Sequence, residues 1–552
     1  MAPDRAPEAD GAPPLKRARA TQKDEEDDIQ DAEYWAERAR DAERAAPVRR
    51  DLYMDTIDRR VLDFDFEKVC SVSLSKVNIY VCLVCGKYFQ GRGKQTHAYF
   101  HAIDESHHVF LNMESGRVYV LPDNYEVDDA SLSDIQYQLR LPFSEQQIAR
   151  LDAPDAPNAR DLWGKPYRPG FVGLNNLGRS DAMNAVLQAL VHVPPLRDYF
   201  LRGGSPSHQR TDVQHEPLAQ STELVRRFGM LVRRMWNPRA FKGQVSPHEF
   251  LQEVAQASHG RLRLTEATDP VDFLGWLLNR LHRDLVGASH VRDARSVITE
   301  CFQGALRLES QKVIVRTGLE DEASTDKLDH DGRLARGQED EHGHAKFNID
   351  KAIKVDQVPF LLLALDLPPL PVFQDVVAEN IIPQVPIAQV LSKYDGITIQ
   401  EAQGLIKRHQ LTRLPPYLLL HFRRFTRNRF VEERNKTLVQ FPTRGLDLQP
   451  YVEGPTVQGS NIYHLLANIT HDATAGTVRD DSVWRSQVHT ADGHWFQMQD
   501  LHVDEVNPQM LFLGESYVQI WERAGAADDM RSRIDSLPLP RRRRTGDNTG
   551  SL

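Results

Sequence analysis

A chain of 552 residues, 40% hydrophobic and 26% charged, has room for roughly two to four domains and enough apolar side chains to bury real cores. Its net charge of −10 argues against a protein that coats nucleic acid broadly, although two short basic tracts, PLKRARA and PRRRRT, stand near the termini. Four cysteines are too few for a disulfide framework, and two of them lie at metal-ligand spacing, so the expected compartment is reducing, cytosol or nucleus. The polar N-terminus carries no signal-peptide core, and no apolar run is long enough to cross a bilayer, so a soluble, intracellular chain without membrane contact is expected.

In chain order, residues 1–45 read as a disordered charged tail, with an exposed helix over Asp31–Ala46. Residues 46–150 form a compact segment with three of the four cysteines and several histidines, and 151–169 reads as a turn-rich linker. Residues 170–525 are mixed, helical first and strand-rich afterwards, interrupted by a charged insertion at 316–347 that is expected to stay unfolded. Residues 526–552 read as a disordered basic tail.

The segment YVCLVCGKYFQGRGKQTHAYFHAIDESHHVFLN places Cys82 and Cys85 on a tight turn and follows them with His97, His101, His107 and His108. Two thiolates and two imidazoles make a closed tetrahedral zinc set. Spacing alone leaves open which histidines ligate.

This segment resembles the UBP-type zinc finger, a reader of ubiquitin's C-terminus found in deubiquitinases and related proteins. The resemblance implies Cys82, Cys85, His101 and His107 as the ligands. At a neighbouring site used by multi-zinc members only Cys70 and His97 match, while Ser73 and Gln90 occupy the other two positions. One zinc ion is therefore expected, with Cys70 and His97 vestigial and Cys70 a small buried side chain. Arg92 matches the family's ubiquitin-tail arginine, but Gly93 replaces the neighbouring tyrosine. A protein-docking module is the expectation rather than a ubiquitin reader.

The longer segment is similar to the ubiquitin-specific proteases, through motifs in order: GLNNLGRSDAMNAVLQAL, TDPVDFLGWLLNRLH, RLPPYLLLHFRRF, VQFP, YHLLANITH, HWFQMQDLHVDEV and GESYVQIWER. The fold class implied is α+β, a small UBP-type zinc finger followed by a papain-like protease fold of thumb, palm and fingers. Such enzymes need a cysteine nucleophile, a histidine base, an acid that orients it and an oxyanion-stabilising asparagine. By resemblance Asn176 keeps the asparagine position, Asp181 stands at the cysteine, Ser482 at the histidine and Gln499 at the acid, with Asp500 beside it. His494 adjoins Trp495 and is too late in the chain to be the base. A carboxylate of pKa about 4 is a weak acyl nucleophile, so Asp181 is expected to cap the helix it precedes. Cys301 is expected in the core, and the paired C-x-x-C motifs of many fingers subdomains are missing.

A UBP finger before a protease domain without its nucleophile resembles one group, the spliceosomal snRNP-assembly-defective family associated with the tri-snRNP. The stretches LDFDFEKVCSVSLS, CLVCGKYFQGRG, HHVFLN, LPDNYE, VPPLRDYF, IIPQVPI and LPPYLLLHFRRFT carry this likeness. It implies a nuclear, non-catalytic scaffold in pre-mRNA splicing that stabilises or assembles the tri-snRNP through protein contacts. The basic tails suit nuclear import or contact with RNA phosphates. The competing readings are a ubiquitin-binding adaptor and an active deubiquitinating thiol protease, the latter at odds with Asp181.

Overall fold

The computed structural model describes residues 53–154, 158–202, 221–287, 294–316, 346–349, 353–369, 382–402, 405–427, 432–454, 461–473, 482–535 and 537. The expected N-terminal tail with its helix, most of the 316–347 insertion and residues 538–552 lie outside them. Chain contacts divide the protein into two units: residues up to Leu62 with Val69–Gln136, and Asp63–Lys68 with Tyr137 onward. The expected boundary at residue 150 is thus too late. Leu141, Phe143 and Ile148 are buried in the core of the second unit, and that burial decides where the segment belongs. Asp63–Lys68 joins the same unit through polar pairs. Asp65 accepts the Ser246 N–H at 3.0 Å, and Lys68 pairs with Glu249 at 2.9 Å.

The first unit is built on a five-stranded antiparallel sheet against which one helix, His97–Asp104, packs. Its strands are β1 (Ile79–Cys82), β2 (Tyr88–Gln90), β3 (Val109–Asn112), β4 (Val118–Val120) and β5 (Tyr125–Val127), in the order β2-β1-β3-β4-β5. Helix α1 (His97–Asp104) buries Ala98 and Ala102, four apart on one face, against Tyr80, Phe89 and Phe110.

In the second unit, residues expected as a linker are ordered. Ala159–Arg160 pairs with Pro166–Tyr167, and the Tyr167 hydroxyl donates to the Asn237 carbonyl at 3.0 Å. A helical half follows: α2 (Asp181–Val191), α3 (Pro194–Arg202), α4 (Glu223–Met235), α5 (His248–Ala257), α6 (Pro270–Val286) and α7 (Val297–Phe302). Ten of the eleven residues of α2 are buried, Ala182 through Val191, as befits a helix surrounded by others. Helix α6 starts where Asp269 caps the Val271 N–H at 2.8 Å with Pro270 behind it, and ends at Gly287 with φ +70°.

The strands of the two large sheets are β6 (Gly304–Arg316), β7 (Lys346–Ile349), β8 (Lys354–Phe360), β9 (Leu363–Asp366), β10 (Gln400–Ala402), β11 (Leu405–Arg413), β12 (Tyr417–Arg423), β13 (Arg444–Asp447), β14 (Ile462–Ala473), β15 (Ser482–His489), β16 (Trp495–Gln499), β17 (His502–Val506) and β18 (Glu515–Arg523). A fingers sheet runs β7-β6-β11-β10, with β8 also paired to β6. A palm sheet runs β9-β12-β18-β14-β15-β16-β17, with β13 on β14. The expected insertion is shorter than 316–347, because Arg316 and Lys346 are opposite partners of the β6–β7 ladder. The tail is also shorter than expected. Ala526–Asp535 forms helix α8, and Ala526, Met530 and Ile534, spaced four apart, are buried in the main core.

Candidate functional site

In the first unit the backbone turns sharply after β1, with the Gly86 N–H donating to the Cys82 carbonyl at 2.9 Å. Gly86 has φ +74°, and a Cβ there would meet the Val61 carbonyl oxygen at 2.4 Å, so only glycine fits. This knuckle turns Cys85 toward α1, whose His101 Nε2 lies 3.4 Å from Cys85 Sγ and 3.1 Å from His107 Nδ1. The Phe89 ring stacks on His101 at 4.2 Å and holds it in place. The ligand atoms of Cys82, Cys85, His101 and His107 all lie within 4.8 Å of one another. Zinc–sulfur bonds of about 2.3 Å and zinc–nitrogen bonds of about 2.0 Å put tetrahedral ligand atoms roughly 3.3–3.8 Å apart, so the donor set fits that ion. The Cys82 thiol, hydrogen-bonded to Cys85, holds the Cys85 thiol down to about 4, in the thiolate form that a metal takes. His108 is drawn elsewhere, its Nδ1 2.8 Å from the Leu121 carbonyl.

The neighbouring positions are differently occupied. The Ser73 hydroxyl donates to Gln90 Oε1 at 2.9 Å, and Cys70 Sγ accepts the N–H groups of Ser73 and Gln90 at 3.4 and 3.3 Å. Cys70 is therefore not merely a small buried side chain. Burial opposes its ionisation, but the hydrogen bonds from Ser73 and nearby main-chain N–H groups outweigh it and hold the thiol below its usual range. Among the described residues, Cys70 and His97 join no group of three or more metal-type ligands. Arg92 stacks over Tyr119, 4.0 Å from its centroid, and donates to Asn124 Oδ1 at 2.6 Å.

In the second unit the glycine turn before α2 is tied to the turn after β16. The Leu174 N–H donates to the Asp500 carbonyl at 2.8 Å, and a Cβ on Gly173 would strike the Leu501 backbone at 2.7 Å. The Asp500 carboxylate accepts from Asn176 Nδ2 at 3.1 Å and from the buried Asn184 Nδ2 at 3.2 Å. Asn176 Oδ1 accepts the Ser180 N–H at 3.1 Å. The asparagine amide is thus part of a lock between two loops.

Asp181 is the first residue of α2 rather than its N-cap, and the capping expected of it is shared: the Ala182 N–H of the first turn holds the carboxylate together with a strand of the neighbouring sheet. Its Oδ2 accepts the Trp484 N–H of β15 at 3.3 Å, while Ser180 at the cap position makes no side-chain cap bond. A side chain already inside the first turn points across to the neighbouring sheet. Burial raises the Asp181 pKa, and the Asp500 charge adds to the rise against the N–H groups of Ala182 and Trp484. Ser482 opens β15 opposite Ala473, two residues before Trp484. Gln499 ends β16 and accepts from Arg485 Nε at 2.8 Å, and Arg485 in turn pairs with Asp472 at 2.7 Å. Cys301 is fully buried, which pushes its thiol well up. His494 is exposed and faces Glu505. Reading the motifs singled out Asn176, Asp181, Ser482 and Gln499 but not Trp484 or Arg485, which meet them only across strands. Asn184 was signalled by its place at the end of the GLNNLGRSDAMN box.

Residues 172–521 match the family described as ubiquitin carboxyl-terminal hydrolase, and 70–132 match the zinc finger in ubiquitin-hydrolases and other proteins. The chain belongs to the ubiquitin carboxyl-terminal hydrolase family. Within it the chain groups with splicing members. It is 40% identical to "Probable mRNA-splicing protein ubp10" of Schizosaccharomyces pombe, over 90% of this chain and 93% of that one. It is 44% identical to "Ubiquitin carboxyl-terminal hydrolase 39" of Homo sapiens, over 85% and 79% respectively. A solved structure titled "Crystal structure of an essential yeast splicing factor" superposes with a TM-score of 0.63 at 28% identity, covering 85% of this chain and 99% of the other. The zinc-finger match contains all four clustered ligands, and the two observations together point to zinc binding.

Proposed function

We propose that this protein works in the nucleus as a non-catalytic scaffold of pre-mRNA splicing that stabilises or assembles the tri-snRNP through protein contacts. The observation that carries the reading is Asp181. At the loop-to-helix junction where a protease of this family would present a thiol, a carboxylate is held by the Trp484 N–H. The base and acid positions, Ser482 and Gln499, carry no imidazole or carboxylate. Removal of one member of such a unit costs about 10⁴–10⁶ in turnover, so loss of all three leaves no catalysis. The near full-length likeness to proteins named for splicing supplies the process.

One zinc ion is the stoichiometry this reading includes, on Cys82, Cys85, His101 and His107, with Cys70 and His97 left over from a second site. The basic tails would serve nuclear import or RNA-phosphate contact. Affinity capture of the full chain from nuclear extract is expected to co-purify tri-snRNP proteins, and a ubiquitin-vinyl probe is expected to leave no covalent adduct. Capture without any spliceosomal protein, or an adduct on the chain, would reverse the reading. The second reading, a ubiquitin adaptor, depends on Arg92. Its guanidinium is already committed to Tyr119 and Asn124, so ubiquitin titrations are expected to be flat for the wild type and for Arg92→Ala alike.

A further inference from the structure

A side-chain amide buried in a core is costly unless its N–H and C=O groups find partners. Among the described residues some do not, for Asn184 Oδ1 and Gln188 Oε1 on the buried helix α2 have none. The palm sheet holds a set with no such orphan. Gln519 on β18, Asn468 on β14, Gln487 on β15 and Gln497 on β16 are successive register partners: Gln519↔Asn468, Asn468↔Gln487 and Gln487↔Gln497. Directly opposite side chains share a face, so the four amides cross the sheet in one row. The first three are at most 6% exposed, and Trp521, two residues along β18 and fully buried, closes the inner end.

The hydrogen bonds of the row all run one way. Trp521 Nε1–H donates to Gln519 Oε1 at 3.0 Å, and Gln519 Nε2 donates to Asn468 Oδ1 at 3.4 Å. Asn468 Nδ2 donates to Gln487 Oε1 at 2.9 Å, and Gln487 Nε2 to Gln497 Oε1 at 3.0 Å. Gln519 Nε2 also lies 3.5 Å from Ser516 Oγ. An indole nitrogen is a donor only, so it decides which end of Gln519 faces it. A reversed Gln519 would set its NH2 against the indole N–H, two buried donors with no acceptor between them. With Gln519 fixed, Asn468 offers its oxygen to β18 and its NH2 to β15, and the choice passes strand by strand to β16. At the rim Gln497 is left with an NH2 to give. Its register partner on β17 is Asp504, an exposed carboxylate and therefore an acceptor. Both ends of the row suit the same direction.

We propose that this row is a directional hydrogen-bond relay, in which Trp521 sets the orientation of every amide and a break at one amide is felt by the indole across the sheet. Three inter-strand steps of about 4.8 Å put Gln497 roughly 14 Å from Gln519. Hydrogen bonds in such a chain polarise one another, so losing a distal member weakens the bond at the near end. The row is also close to all-or-none in energy. Replacing Asn468 alone leaves the Gln487 oxygen and a Gln519 N–H unpaired, whereas removing Gln487 as well takes away one of the two orphans.

The test is the indole nitrogen–proton spectrum of the full chain labelled with nitrogen-15 tryptophan, which holds seven tryptophans. The Trp521 signal is identified by its loss in Trp521→Phe, or by assigning the other six in the same way. Gln487→Leu, two strands away, is expected to move that signal by more than its linewidth. Ser486→Ala, the next residue of β15 and on the opposite face, is expected to leave it in place. Gln497→Leu, at the half-buried rim, is expected to move it in the same direction by less, and keeps the relay testable where Gln487→Leu fails to fold. In urea unfolding, Asn468→Leu and Gln487→Leu are each expected to lower the folded-to-unfolded ratio by about tenfold, and the double variant by far less than about a hundredfold. A Trp521 signal unmoved by both Gln487→Leu and Gln497→Leu, an equal shift in Ser486→Ala, or additive losses in the double variant would overturn the relay. These readouts concern the palm sheet alone, so their failure is distinct from a failure to co-purify splicing proteins.

Discussion

Asp181 and Asp500 show how two carboxylates of a protease frame are held by the turns and strands around them. Asp500 is the acceptor for two asparagine amides, one of them buried, and its loss leaves donors without partners. Asp500→Ala is expected to destabilise the second unit by about 1–3 kcal/mol, read as a lowered urea midpoint. Asp181 behaves oppositely. Its native pKa is raised, so below the unfolded value near 3.8 both states are protonated and the group contributes nothing. As pH climbs past that value the unfolded chain ionises freely and the native one does not, so stability falls until the native carboxyl has also ionised. Asp181→Asn keeps an acceptor for the Trp484 N–H without the charge. Stability curves of variant and wild type are expected to coincide near pH 3, with the variant the more stable at pH 7. Coincidence at both pH values would show that the carboxyl is not desolvated in the native protein.

At the scale of elements, helix α8 turns a stretch read as disordered into part of the core. Sequence alone presented it as polar because AADDMRSRID carries five charged residues against the three small or apolar ones spaced along one side. Only the presence of α3 and the surrounding core makes that stripe decisive. Met530→Ala is expected to cost roughly 2–5 kcal/mol, read as a lowered midpoint in denaturant unfolding. The hairpin Ala159–Tyr167 was missed for the same reason, since two-residue strands have no periodicity to read. By contrast α2 was legible, because an uninterrupted apolar run behind a glycine turn has few other folded forms.

At the scale of the whole molecule, the two units rest on different kinds of stability. The first has a small core of residues such as Tyr80, Phe89 and Phe110, in which Cys82 is itself a member, while the second buries a much larger apolar set. Small cores lean on metals. A chelator is therefore expected to unfold residues 69–136 and leave the second unit intact. Tryptophans make this simple to measure. Residues 53–136 contain none, and six of the seven in the chain lie from Trp163 onward. Chelation is expected to raise amide exchange across β1–β5 with little change in tryptophan emission, and Cys82→Ser with Cys85→Ser to do the same without chelator. A large emission change would show that the second unit depends on the metal too.

Much of the design was open to a reader of the sequence: the four zinc-type ligands, the ordered protease motifs and the absence of a thiol at position 181. These are covalent identities at set spacings, and folding does not change them. What only the tertiary structure decided were relations between distant segments. Asp181 reaches Trp484 as well as the first turn of its own helix, Asn176 is spent on Asp500, and Arg485 claims Gln499. The domain boundary and the ordered tail belong to the same class, because which core a segment joins depends on surfaces the segment does not itself encode.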